Sequence, residues 1–365
     1  MKSISLAVAI ISVFCVFPKS SQAADSLTIE TVRGKAVLDD ADFKTIDSFV
    51  AGAVGEMLAT EDFSAISNTR AIIVANSAST QPNQTQFAEQ FSKSTQKYIS
   101  AALTKAESLT PADRSFKVIT NLLMLTDSLA DVRLAEVALK YVDSKNEVIR
   151  YWAVHCVTNP EITEKLNSSK VIDTARQVIR RLDEIVATSS SDTLGLIASF
   201  AGSSKIAEGE LLLLKVADRR IASYADWTVD QELVDGRILQ ILGDKMASSS
   251  SSKETVGKRF GQLLSYVFQR YIKGADFLYA DQKGQLISVL VDTEQSCLSK
   301  ITGKPRFNVK RAIESGDIKA LQQEHNDLLG DETKAGELNL NYGKDASGTL
   351  ITHPLALASP PAESK

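Results

Sequence analysis

From about residue 39 to residue 330 the apolar residues of this chain recur at i, i+3, i+4 and i+7, and no segment shows convincing two-residue alternation. A period near 3.6 buries one stripe of a helix, whereas a half-buried strand needs a period of 2. The pattern therefore predicts an all-α chain. Phe43, Ile46, Phe49, Val50, Val54 and Met57 follow Asp39-Asp40, acids placed where a helix N-terminus favours them. A second helix fits Phe63 to Ala75, and a long one carries Phe87, Phe91, Tyr98, Ile99 and Leu103. Thr110-Pro111 opens another, with Thr110 as N-cap and Pro111 in the first helical position. Helices are expected over 131–142, 146–157, 171–187, 192–201, 206–224, 229–246, 254–272 and 282–301, then a short pair over 308–314 and 317–329. Residues 27–38 read as briefly extended.

The two ends differ from this body. Lys2 precedes an apolar run, Ile4 to Phe17, and then Pro18, Lys19 and the small residues Ser21 and Ala23. That order is a secretory signal peptide over residues 1–23, cut between Ala23 and Ala24. The run is shorter than the ~20 residues a membrane span needs, and no later segment is long and apolar enough. Phe14 is too bulky for the small residue that precedes a lipid-modified cysteine, so Cys15 is set aside. The mature chain is thus expected to be secreted or periplasmic. At the other end, residues 331–365 lose periodicity, are rich in Gly, Ser and Pro, and read as a disordered tail. Between the ends, an N-terminal extension (24–38) leads into a helical repeat domain (39–246). A Ser-rich linker (247–253) then precedes a C-terminal helical part (254–330).

The stretch NEVIRYWAVHCV, residues 146–157, narrows the architecture. Asn146 is placed to cap a helix. Ile149, Trp152, Ala153 and Cys156 form its buried stripe. With Val-Arg replaced by Ile149-Arg150 and the small residue supplied by Ala153, it resembles the second helix of a HEAT repeat. The preceding helix, with Leu134, Ala138 and Val142 in phase, would be the first. Repeats of this class recur every ~40–47 residues. One such step reaches Ser191, Leu194 and Ala198, where Gly195 stands in place of the Arg, and a further step reaches Asp230 and Leu233. The match is complete only at 131–157. The resemblance implies a helix-pair α-α superhelix (HEAT/ARM-like), and implies for Arg150 a structural contact with an acid of a neighbouring unit. A non-repeating multi-helix bundle is the other architecture the pattern allows.

Chemistry-bearing motifs are sparse. His155, His325 and His353 are isolated, so neither a zinc-protease signature nor other metal-ligand spacing is present. His155 reads as half-buried, and His325 as lying on a polar helix face. No Gly-x-Ser-x-Gly elbow occurs. Ser94/Lys97 and Ser250/Lys253 match Ser-x-x-Lys without the companion motifs, and Gly303-Lys304 lacks the upstream glycine of a phosphate loop. Asp39, Asp40 and Asp42 read as a helix start. Cys156 and Cys297, left after the signal peptide, read as buried thiols, although an exported chain could pair them. No catalytic residue, cofactor or metal is assigned. A net charge of −4 argues against nucleic acid as a partner. Arg176, Arg180 and Arg181 on one helix, and Lys258, Arg259, Arg270 and Lys273 on another, read as solvated faces interspersed with acids, or as docks for an acidic partner.

What these residues favour is an exported protein-binding scaffold or adaptor. The candidate partner-binding residues are Glu147, Arg150, Tyr151 and Val154, on the stripe opposite the buried one. The alternative is an all-α extracytoplasmic enzyme whose site assembles from distant residues. N-terminal sequencing of the exported chain is expected to begin at Ala24; a chain that still starts at Met1 would make the leader an anchor.

Overall fold

The computed structural model describes residues 22–248 and 253–361. The leader expected over residues 1–23 lies outside them up to residue 21, as do 249–252 of the Ser-rich stretch. Among the described residues the fold is all-α, with one two-stranded ribbon near the C-terminus. No helix there is long and apolar enough to cross a membrane. The chain divides into two compact units, residues 1–102 and 103–365. The boundary lies inside a helix.

The first unit contains α1 (Gln22–Arg33), α2 (Asp40–Ala59), α3 (Phe63–Ala75) and most of α4 (Gln86–Ala106). Residues 27–33 are therefore helical rather than extended, with Ile29 and Val32 buried. Asp39 caps α2 through the N–H groups of Ala41 and Asp42, and Asp42 closes the box back onto the Asp39 N–H. The three acids at 39–42 are a helix start, and Asp42 is also paired with Lys35 at 2.6 Å. Phe49, Phe87 and Phe91 form the aromatic centre, with Phe87 and Phe91 stacked at 5.7 Å.

The second unit begins with α5 (Ala112–Leu129), α6 (Val132–Ala138), α7 (Glu147–Thr158) and α8 (Pro160–Leu166). It continues with α9 (Ile172–Ile185), α10 (Ser191–Ser203), α11 (Ala207–Ala225), α12 (Leu233–Ala247), α13 (Lys253–Lys273) and α14 (Ala280–Thr293). The short helices α15 (Ser299–Thr302), α16 (Asn308–Glu314) and α17 (Ile318–Leu329) follow. Pro111, not Thr110, occupies the N-cap of α5, with no side-chain cap. Asn146 does cap α7, accepting from Val148 and Ile149. The α10 cap falls on Ser190, one residue before the expected Ser191.

These helices pack in two rows. In one, α7, α10, α12 and α14 each lie against the next; in the other, α9, α11 and α13 do the same. The first row begins at Glu147, Ser191, Leu233 and Ala280, steps of 42 to 47 residues. Ion pairs reach back from each helix of the second row, two of them within the row and one to Asp143 ahead of α7. Arg181 meets Asp143 at 3.0 Å, Lys215 meets Asp183 at 2.8 Å, and Arg259 meets Asp218 at 2.9 Å. Each pair is at least partly exposed and contributes little by itself. Arg150 is not part of them. It reaches Glu147 of its own helix at 3.6 Å and the Ser144 carbonyl.

α13 is buried on every side from Phe260 to Arg270, as befits a central helix. Gly257 and Gly261, one turn apart, leave a flat strip on it. A Cβ at Gly261 would lie 2.5 Å from both Leu340 Cδ1 and Tyr342 Oη, so any larger residue there would have to push these two side chains aside. Beyond it, Gly343–Lys344 pairs antiparallel with Leu350–Ile351. Tyr342, Pro354 and Leu357 are buried, so the segment expected to be a disordered tail is packed onto the unit as far as Ala358.

A cluster of buried charges gathers around the turn between α11 and α12. Arg220 grips Asp235 with two hydrogen bonds, Nε to Oδ1 at 2.7 Å and Nη2 to Oδ2 at 2.8 Å. It also donates to Ser191 Oγ and to the Asp230 carbonyl, while Tyr224 Oη donates to Asp235 at 2.7 Å. Burial pulls the Arg220 pKa down, but the bonds and charge of Asp235 more than offset this, and the guanidinium titrates above its ordinary value. Beside it, Arg270 donates to Glu232 and to the Val229 carbonyl. Removing one partner strands a buried charge. Asp235→Ala is expected to cost about 3–5 kcal/mol, read by denaturant unfolding, whereas Arg220→Met with Asp235→Leu should recover most of that loss.

Candidate functional site

The candidate residues on α7 separate. Glu147 is exposed; Arg150 and Tyr151 are half-buried; Val154 is fully buried and cannot line a surface. The expected stripe was rotated slightly, because α7 is covered on two sides, by α5 and by α10. Trp152, expected in the core, is half-exposed instead. It meets Tyr151 edge-on at 5.7 Å and His155 at 5.2 Å. The His155 imidazole completes this patch. Its Nδ1 lies 3.0 Å from Asp127 Oδ1, an ion-pair distance off the line of a straight hydrogen bond. The bond to Asp127 raises the histidine's pKa, with burial opposing. Asn159 donates to the same carboxylate at 2.9 Å. An Asp–His pair can hold or move a proton, but the neighbouring Cys156 is no nucleophile for it. That thiol is buried, bonded to the Leu123 carbonyl, and pushed well up by burial.

Other sequence candidates are consumed internally. Ser94 donates to Asp47 at 3.0 Å, and Lys97 meets Tyr98 and Asp47 instead of Ser94. The Lys97 pKa is raised, first by its bond to Tyr98, so it is a poor base. Arg181 and Arg259 are paired with Asp143 and Asp218, and Arg270 is buried. Cys297, like Cys156, is a free buried thiol. Among the described residues no three His, Cys, Asp or Glu side chains converge as metal ligands.

A second surface, on α13, was not anticipated. Gln262, Tyr266, Gln269 and Lys273 form a stripe at i, i+4, i+7 and i+11, and across it runs the segment 353–358, which belongs to no helix or strand. Gln262 takes the Leu355 N–H at 2.8 Å and donates to the Leu355 carbonyl at 3.2 Å. Gln269 donates to that carbonyl at 3.2 Å and takes the Leu357 N–H at 2.7 Å. The Lys273 ammonium donates to the Leu357 carbonyl, and Trp227 Nε1 donates to Ala358 at 3.1 Å. Every one of these bonds is to backbone. Trp227 is itself held edge-on by Phe277 at 5.5 Å and lies under Arg270 at 5.3 Å. Beside the segment is a cavity of about 220 Å³ lined by Ile221, Lys258, Tyr342 and Leu355, among others. The signal available in the sequence was two glutamines seven apart among the apolar residues of 260–272, since buried amides require partners.

Behind Gln269 lies His325, which the structure places in the core rather than on a polar face. Its Nε2 is 2.8 Å from Ser265 Oγ, and Ser265 accepts from Gln269 at 2.8 Å. Nδ1 is 2.9 Å from Asn326 Oδ1, an arrangement that fits a neutral ring protonated at Nδ1. Burial lowers the His325 pKa; Asn326 offsets part of this and the Lys273 charge adds to it.

No family model matches the chain, and no curated protein matches it. Among solved structures, the crystal structure of an engineered protein is similar at 13% identity, over 83% of this chain and 90% of that one, with a TM-score of 0.21. At that score the likeness carries no argument.

The two histidines are expected to act on stability with opposite signs. His325 is held neutral, so its contribution is complete above the ordinary histidine pKa of about 6.5 and is lost as pH falls through and below it. His155 is held charged, so its contribution is present below about 6.5 and is lost as pH rises through its raised folded value. Thermal melts should show His325→Gln narrowing the difference between pH 7 and pH 5. His155→Gln should destabilise more at pH 5.5 than at pH 8.5; equal losses at both would remove the Asp127 pairing from the account.

Proposed function

We propose that this chain is an exported helical-repeat scaffold that binds other proteins. The observation that carries the reading is the two-row packing of α7 to α14, with starts 42 to 47 residues apart. That spacing is the HEAT/ARM period, and such helix pairs build a superhelix whose long surface serves for binding. The apolar leader supports export, with the mature chain secreted or periplasmic. A half-exposed Tyr–Trp pair beside an exposed Glu on α7 is the residue composition of a contact surface, since aromatic residues combine apolar area with a polar handle.

The enzyme alternative draws on the Asp127–His155 pair. It has no partner nucleophile in Cys156, and the pair's chemistry is met by its role in joining α5 to α7.

A photo-crosslinking side chain in place of Glu147 tests the reading in the native extracytoplasmic fraction. One discrete protein adduct is expected, reduced at least tenfold when Tyr151 and Trp152 are also replaced by Ala. Absence of any protein adduct, with a small molecule retained on the chain, would overturn the scaffold in favour of the enzyme.

A further inference from the structure

We infer that the cavity between α11, α13 and the C-terminal ribbon is a binding site for a small monocarboxylate with a compact apolar body, its anion held by Lys258. The inference is independent of the scaffold reading and asks no segment of the chain to move.

Three parts of the chain wall this cavity of about 220 Å³. Ile221 comes from α11, Lys258 and Gln262 from α13, and Tyr342, Ile351 and Leu355 from the C-terminal stretch. Its body is apolar. The Tyr342 hydroxyl is directed to the Leu329 carbonyl, and Gln262 uses both ends of its amide on the backbone of Leu355. A cavity of roughly 150 Å³ lined by apolar side chains admits benzene. The larger volume here has room for a ring of that size and a small headgroup. Leu355 is 61% exposed although apolar, a surface that a seated ligand would cover.

Charge decides the headgroup. Arg259, which also lines the cavity, is engaged by Asp218, with Nε and Nη2 at 3.0 and 2.9 Å from its two oxygens. The two charges cancel where they stand. Lys215, Arg220 and Arg270 on the same two helices likewise have carboxylate partners. Lys258 forms no ion pair with a carboxylate among the described residues. Its ammonium stands instead over Gly343, 3.4 Å from where a Cβ would be. Gly343 takes a φ of 124°, so a residue without a Cβ is both required by the backbone and what lets the ammonium lie against the ribbon. The cavity therefore presents one uncompensated positive charge. A monoanion matches it, a cation is repelled, and a dianion finds no second cation, since Arg259 is taken.

The test uses the exported chain, residues 24–365, with benzoate as probe and calorimetry as readout. Benzoate should saturate one site. Benzyl alcohol, of similar size without the charge, should bind about fivefold more weakly, as fits one partly exposed ion pair, and benzylamine more weakly still. Lys258→Gln should bring benzoate down to the level of benzyl alcohol and leave benzyl alcohol unchanged, while Lys258→Arg should keep most of the benzoate affinity. Ile221→Trp, which fills the cavity from α11, should abolish both. Decanoate should bind no better than hexanoate, because the volume is limited. No saturable benzoate binding would overturn the inference. So would equal affinity for benzoate and benzyl alcohol, or benzoate binding untouched by Lys258→Gln; either would leave an apolar void with no anion site. If Ile221→Trp loses its helical spectrum, Lys258→Gln still decides, since that side chain is exposed. Protein adducts formed from α7 are unaffected by any of these results, so this site and the scaffold fail separately.

Discussion

The second unit depends on two arginines buried where α11 turns into α12. A guanidinium out of water must find acceptors for its donors, and the turn is bent to provide them. Asp230 and Val229 offer carbonyls, Glu232 and Asp235 offer carboxylates, and all four lie within seven residues. The cost of aiming so many acceptors inward shows in the backbone. Trp227 and Gln231 both take positive φ, at 58° and 49°, which residues with a Cβ seldom adopt. Because Arg270 belongs to α13 and Arg220 to α11, the turn ties α11, α12 and α13 together. The rows of helices keep their spacing through this knot as well as through apolar contact.

That knot also accounts for where the segment 353–358 is held. Trp227 cannot rotate away, since the strained turn, Phe277 and Arg270 hold it from three sides. Its indole N–H therefore points at a constant place, where the Ala358 carbonyl is found. The glutamines are placed with similar firmness, Gln269 by Ser265 and His325 behind it. A surface that reads backbone must be rigid, because backbone bonds have fixed directions and moderate strength.

How much of this the sequence discloses depends on the distance over which each feature is decided. Helices are local, and their periodicity placed nearly all of them, including α7 with its Asn146 cap. The steps of 42 to 47 residues between helix starts could be glimpsed through Leu194 and Ala198, apolar and small residues that follow Ile149 and Ala153 by one such step. Val154 and Trp152 changed places because a second neighbour, α10, covers α7, and no helix reports its partners in its own residues. The tail misled for a related reason. Residues 353–358 are held by glutamines 86 to 93 positions away, acting on backbone, and a backbone leaves no mark in composition. By local pattern Arg150 looks like the residue that pairs between units, yet those pairs are made from α9, α11 and α13, set by register between helices.

Gln262 and Gln269 lie two turns apart on α13, about 10.5 Å along its axis. Two methylenes let each amide lean inward, and both reach the single carbonyl of Leu355. Such reach would let the segment slide were backbone bonds the only restraint. A shift by one residue, however, would turn Leu357 out and bring an alanine to the buried place. Direction and extension are thus set by α13, while the choice among registers is left to one leucine and one proline.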